Sequence, residues 1–285
     1  MFRLLCLLLL AHAAVAQPYL DLASVRYSRG FDAGLVRRNQ QQNSFYYTNA
    51  QVQVPIQFKD SSLLLVNPIF ERWWINLPVA PSLPEKVEGK VLFTAFIKPW
   101  TPRLTTTIAL IPRWNGQGVK GSDKFQMGGL FLATLTRKPG LKYKMGLYYN
   151  HEFFGNFVVP VLGIEYRIKP GLQLFGNLPG SLTLEKKVNS RFYYGASFRA
   201  ITNSYRYQNN GGTPLRFIRI DENQLQGFAD WYLSRQLVLT SEFGHSFFRR
   251  FRLGQEGGQS KYDVQEKFND GVVARLALAY RLRFD

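Results

Sequence analysis

The sequence predicts an all-β chain, a transmembrane antiparallel up-and-down β-barrel preceded by an export signal. Three observations carry this: a long alternating final segment, tight turns interleaved with longer polar loops, and a short apolar stretch at the N-terminus. The final segment, Gly271 to Asp285, reads GVVARLALAYRLRFD. Val272, Ala274, Leu276, Leu278, Tyr280, Leu282 and Phe284 fall on one parity, and Arg275, Ala277, Ala279, Arg281 and Arg283 on the other. In an extended strand the two parities are opposite faces. An ordinary strand has about 5 to 6 residues, whereas a tilted strand crossing a bilayer needs about 9 to 11. This alternation is long enough to cross.

The chain opens MFRLLCLLLLAHAAVAQ, with Arg3 as a positive start, Leu4 to Ala13 as an apolar run and Ala14-Val15-Ala16 as a small-residue cleavage pattern. Residues 1–16 are therefore predicted to be a signal peptide, and 17–285 the barrel domain. Cys6, the single cysteine, lies inside the signal, so neither disulfides nor cysteine-based metal sites are expected in the rest. No later window is long and apolar enough for a spanning helix. Mean hydropathy is only -0.17, as befits strands in which every second residue faces lipid.

Formal net charge is +17. Behind an export signal, and with the cations scattered along strands and turns, this charge points away from nucleic acid and toward anionic lipid headgroups or small anionic solutes.

Taken in order, strands are predicted over 20–30 and 44–58. In the second, Ala50, Val52, Val54, Ile56 and Phe58 oppose Gln51, Gln53, Pro55 and Gln57. A turn at 59–61 leads to 62–70, where Pro68 spoils the alternation, and residues 71–90, with Trp73, Trp74 and three prolines, read as a long loop. Strands over 91–99 and 103–113 flank a turn at 100–102, and 115–124 is a Gly-rich loop. Strands over 125–136 and 141–151 flank the turn Arg137-Lys138-Pro139-Gly140; in the latter, Lys142 and Lys144 oppose Leu141, Tyr143 and Met145. After 157–167 and Lys169-Pro170-Gly171 come two short segments, 172–177 and 181–188, and then the long aromatic strand 191–207. Residues 208–222 read as a loop, 223–233 and 236–253 as a hairpin on Ser234-Arg235, and 254–269 as a second polar loop.

Short turns alternate mostly with longer loops, the arrangement of outer-membrane barrels with short periplasmic turns and long external loops. The expected count is 12 strands, or 14 if the segments 172–177 and 181–188 both cross. No internal repeat or interdomain linker interrupts the hairpin rhythm.

The run from Ile164 to Tyr207, IEYRIKPGLQLFGNLPGSLTLEKKVNSRFYYGASFRAITNSYRY, resembles an uncharacterised group of outer-membrane β-barrel proteins from Bacteroidota, and LTSEFGHSFFRRFR resembles its penultimate strand. The closing strand is similar to the C-terminal signal of outer-membrane proteins, with Asp285 following the usual terminal Phe284. The resemblance implies the fold, the bacterial outer membrane as location and the barrel-assembly machinery as a partner during biogenesis. It implies no catalytic residues.

Chemistry is sparse. His245-Ser246 and His151-Glu152 are adjacent on strands and so point to opposite faces, which prevents proton sharing unless a bulge intervenes or, for His151, a loop begins at the strand end. Asp230 and Glu242 are expected along one wall, neutralised by Arg275, Arg281, Arg250 or Arg252. A two-residue link would set Asp230 opposite Leu239, in conflict with their parity unless the turn is one residue longer or bulged. The chain is not expected to be an enzyme, and no cofactor or metal is expected.

Residues predicted to face the lumen are Gln51, Gln53, Gln57, Lys142, Lys144, Arg199, Gln224, Gln226, Asp230, Glu242, Arg275, Arg281 and Arg283. A basic lumen of intermediate width fits a passive, porin-like channel leaning toward anions. The same residues fit a salt-bridged plug. The alternatives are a lipid- or peptide-hydrolysing enzyme, or a surface-contact barrel whose loops at 71–90, 208–222 and 254–269 bind a partner.

Overall fold

The computed structural model describes residues 18–31, 44–76, 85–208, 215–255, 262, 264–266 and 270–284. The predicted signal peptide, residues 1–16, lies outside the described residues. Among them no helix is long and apolar enough to cross a membrane.

The strands are β1 (Tyr19–Phe31), β2 (Ser44–Val52), β3 (Val54–Gln57), β4 (Leu63–Asn76), β5 (Lys86–Pro99), β6 (Leu104–Gln117), β7 (Phe125–Lys138) and β8 (Leu141–Glu152). They continue as β9 (Gly155–Lys169), β10 (Leu172–Leu178), β11 (Ser181–Lys187), β12 (Phe192–Tyr207), β13 (Arg216–Tyr232), β14 (Leu237–Gln255), β15 (Val264–Glu266) and β16 (Gly271–Arg283). Each pairs antiparallel with its neighbours, and β1 closes onto β16 from Tyr19↔Arg283 to Gly30↔Val273. β2 and β3 form one wall strand interrupted at Gln53, both pairing β4. β15 pairs only the end of β14. The result is a closed barrel of 14 wall strands with one strand outside the ring.

The twelve-strand expectation is thereby corrected. β10 and β11 are both in the wall, because six residues of each pair with one another and all seven pair with β9 or β12. Three predicted loops shrink as well. Residues 71–76, 86–90, 216–222 and 254–255 are strand, and 77–84, 209–214 and 256–261 lie outside the described residues. The two-residue link is also longer than predicted: Leu233 N–H donates to Leu237 C=O, which sets Asp230 opposite Thr240 and Phe228 opposite Glu242. That extra residue puts both carboxylates on the inner face, as their parity requires.

The outer surface is apolar around the ring. Leu110, Met145, Leu162, Phe243 and Leu276 are all more than half exposed, and Val25, Val52 and Leu225 continue the band. In transmembrane barrels an outward apolar band of this kind is the surface that the bilayer covers.

The wall is not of even height. β9 and β12 have 15 and 16 residues, whereas the hairpin between them has 7 per strand. β10 pairs β9 only from Leu162 downward, and β11 pairs β12 only as far as Arg199. Above that level β12 leaves the wall, turns inward and reaches the opposite side. There Arg206 and Tyr207 pair in parallel with Gly116 and Gln117 of β6, and Trp73 Nε1 donates to Tyr205 Oη at 3.0 Å.

β13 and β14 follow as a flap, bent where the register shifts between Asp221 and Asn223 and where Phe248 takes φ 54°. Inside the ring the flap packs Tyr205, Ile218, Ile220 and Phe251 against Phe45, Trp73 and Val87 of β2, β4 and β5. Two buried carboxylates hold it. Glu152 accepts Ser204 N–H at 3.1 Å and also Ser204 Oγ, while Glu71 accepts Tyr205 Oη at 2.6 Å.

A Cβ on Gly116 would lie 2.4 Å from the Arg206 carbonyl oxygen, so only glycine lets β12 approach β6. Gly116→Val should therefore loosen the flap at a cost of about 1–3 kcal/mol. Hydrogen–deuterium exchange over 200–207 should rise while β7 and β8 remain protected.

Candidate functional site

The interior below the flap is a chamber of about 390 Å³. Strand parity supplies its polar wall. Gln51 and Gln53 from β2 and its interruption, Arg26 and Asp21 from β1, Arg199 from β12, and Arg275 and Arg281 from β16 all line it.

Most of these charges are paired. Glu242 accepts from Arg199 at 2.8 Å and from Arg275 at 3.0 Å. Arg281 bridges Asp21 and Asp230, each at 2.6 Å, and Asp21 also meets Arg26 at 3.3 Å. Arg275 further donates to Gln224 Oε1 at 2.6 Å and to Ser28 Oγ at 2.8 Å. Gln226 is buried opposite Ser197.

Arg283 sits at the tight-turn end, bonded to Glu185 and Tyr232 and stacked over Tyr193, 3.7 Å from the ring centroid. Lys142 and Lys144 share Glu165 on the neighbouring strand, away from the chamber. Gln57 lies at the turn end of β3 and does not line the chamber. Of the arginines expected to neutralise the carboxylates, Arg275 and Arg281 do so. Arg252 pairs Asp221 at 2.6 Å within the flap, and Arg250 is exposed, because the bend at Phe248 carries both out of the wall.

The exposures of the paired groups differ. The Arg199 and Arg26 side chains are 31% and 26% exposed, whereas Glu242, Asp21 and Asp230 are 4%, 7% and 2%. The carboxylates are the more deeply buried members, and the Arg199 and Arg26 side chains the more accessible ones. Asp21, Arg26 and Glu185 were missed by parity reasoning on the better strands; Asp21 and Arg26 fall on one face of β1 only because the register shifts between Asp21 and Ala23.

The other arc carries an apolar row, with Arg113 of β6 beside it, donating to Tyr148 Oη at 2.7 Å and Asn203 Oδ1 at 3.0 Å. Paired residues Ala95, Ala109, Leu130, Tyr148 and Val159 form a row across β5 to β9 on the inner face. Ile111, Leu132 and Val161 extend it, and each is buried. The sequence signal was present as unbroken apolar runs, Ile108 to Ile111 and Phe157 to Leu162, which mark strands apolar on both faces.

Among the described residues, neither His245 nor His151 joins a catalytic set. His245 is exposed on the outer face opposite Leu225 and Val272, and Ser246 is buried on the inner face. His151 is exposed at the end of β8, with Nδ1 3.1 Å from Asn156 Oδ1.

No protein-family model matches the chain, and no curated protein matches it. Among solved structures it is similar to the NanC porin at 8% identity, covering 91% of this chain and 100% of that one with a TM-score of 0.41. It is also similar to the translocator domain of the autotransporter NalP from Neisseria meningitidis at 12% identity, 99% and 94% coverage and a TM-score of 0.39. A TodX monoaromatic hydrocarbon channel mutant gives 11% identity, 94% and 90% coverage and a TM-score of 0.41. Similarity this distant leaves the reading of function to the chain's own residues.

Arg281→Met leaves Asp230 buried with Thr240 as its one remaining side-chain partner among the described residues. Removing one member of a buried pair costs about 3–5 kcal/mol. The urea midpoint of the refolded protein should fall accordingly, whereas Lys142→Met, at a partly exposed pair, should change it little.

Proposed function

We propose that this protein is a bacterial outer-membrane barrel that admits small anions to a chamber beneath its folded-in mouth, acting as a narrow, anion-leaning channel and not as an open diffusion pore. The observation that carries the reading is the unequal exposure of the paired charges, with Arg26 and Arg199 accessible and their carboxylates recessed. A cationic lining lowers the barrier to anions and raises it to cations. The flap, packed through Trp73 and Tyr205, argues for small and intermittent currents.

The outer-membrane address and the partners, surrounding lipid and the assembly machinery, are supported by the apolar band and the export-signal pattern. They are supported also by the resemblance of residues 164–207 to barrels of Bacteroidota.

Refolded protein in planar bilayers under a KCl gradient should give a reversal potential displaced toward that of chloride. The double variant Arg26→Gln, Arg199→Gln should bring it close to zero. Preference for potassium in the unaltered protein would overturn the reading.

A further inference from the structure

The uneven wall creates a side opening. Among the described residues, Gly155–Val161 of β9 pair only with β8, and from Ile201 upward β12 has turned inward. Where two wall strands are missing, the gap is three inter-strand spacings, roughly 14 Å. Free strand edges are not tolerated in hydrocarbon unless they line a cavity. Here they do. A cavity of about 410 Å³ occupies the notch, floored by Pro179 and Gly180 of the short hairpin and walled by Phe157, Val159 and Val161, with Arg113 and Asn203 also in its lining.

The notch stands inside the apolar band. Val158 beside it is 55% exposed, and Leu178 and Leu184 below it are 41% and 40%. On β8, Leu147 and Tyr149 lie opposite Pro160 and Val158 and are likewise exposed to the outside. Lipid therefore faces the opening. Inward, the cavity and the arginine-lined chamber share Tyr47, Gly180, Ala200 and Ile201 as common walls. The apolar cavity at the notch and the arginine-lined chamber therefore adjoin.

We propose that the notch between β9 and β12 is a lateral portal for a single-chain amphiphile with an anionic head group, drawn from the surrounding lipid. Its chain lies along Leu130, Leu132, Val159 and Val161, and its head meets Arg26 and Arg199. An ion needs only the polar arc, and a neutral hydrocarbon only the apolar one. An occupant that uses both halves of this interior must carry both chemistries. The proposal rests on the anion-chamber reading for its head-group site, while the portal stands on the wall geometry.

The test is photolabelling with diazirine-bearing palmitate in protein refolded into phosphatidylcholine nanodiscs, with labelled residues mapped by mass spectrometry. Inner-face labelling at Phe157, Val159 or Leu132 is expected, suppressed by excess palmitate and not by hexadecyltrimethylammonium. Arg199→Gln should weaken palmitate competition by about tenfold, the worth of one charge-assisted hydrogen bond. Val161→Trp, which fills the notch, should abolish inner labelling while leaving the chloride reversal potential unchanged. The competition measurement needs only unaltered protein, so the test survives if that variant does not fold.

Labelling confined to outward residues such as Val158 and Leu162 overturns the portal, even with chloride preference intact. Equal suppression by the cationic amphiphile overturns the head-group assignment. Inner labelling without chloride preference upholds the portal and overturns the channel reading.

Discussion

A strand wall must satisfy its backbone hydrogen bonds edge by edge, and the short hairpin of β10 and β11 cannot do so for the full height of its neighbours. The upper end of β12 finds partners elsewhere, crossing the ring to β6. β13 and β14 are bound to β12 by long registers and are carried inward with it. The closed mouth, the side notch and the enclosed chamber are three results of that one mismatch in length. The move is stabilised by the aromatic and aliphatic packing around Trp73 and by the hydroxyl and amide groups gathered on Glu71 and Glu152.

The interior is divided by chemistry. One arc, from β5 to β9, presents Ala95, Ile111, Leu132 and Val161. The other, from β10 through β16 to β2, presents arginine, carboxylate and amide groups bonded across the ring. Taking charges out of water is costly unless each finds a partner, so the polar arc is a network. What remains exposed in it belongs mainly to Arg26 and Arg199.

Much of the wall was legible in the sequence, because period-two alternation is a local signal. Val272 to Arg283 showed both its faces directly, and the tight turns marked one end of the barrel. For Arg275, Arg281, Glu242 and Gln224, parity alone predicts a lumenal side. Their neutralisation was only partly visible, since Arg281 meets an aspartate 260 positions away, and Arg283 a glutamate 98 positions away. The flap was hidden for a different reason. Residues 201–207 read as the end of a wall strand, and nothing local says that this end turns inward, while the loop-like polarity of 216–222 concealed strand. The apolar arc was written in unbroken runs, but a run does not say whether its second face meets lipid, core or cavity.

The seam between β1 and β16 has a consequence for how the ring closes. Arg281 stands opposite Asp21, Ala277 opposite Arg26 and Arg275 opposite Ser28. A slip of one residue would turn every side chain to the wrong face. A slip of two keeps the faces but, in one direction, sets Arg275 against Arg26, and in either direction separates Arg281 from Asp21. Hydrophobic alternation is blind to such an even error, whereas charge is not. The seam therefore proofreads its own alignment, rejecting closures that hydrophobic burial alone would accept.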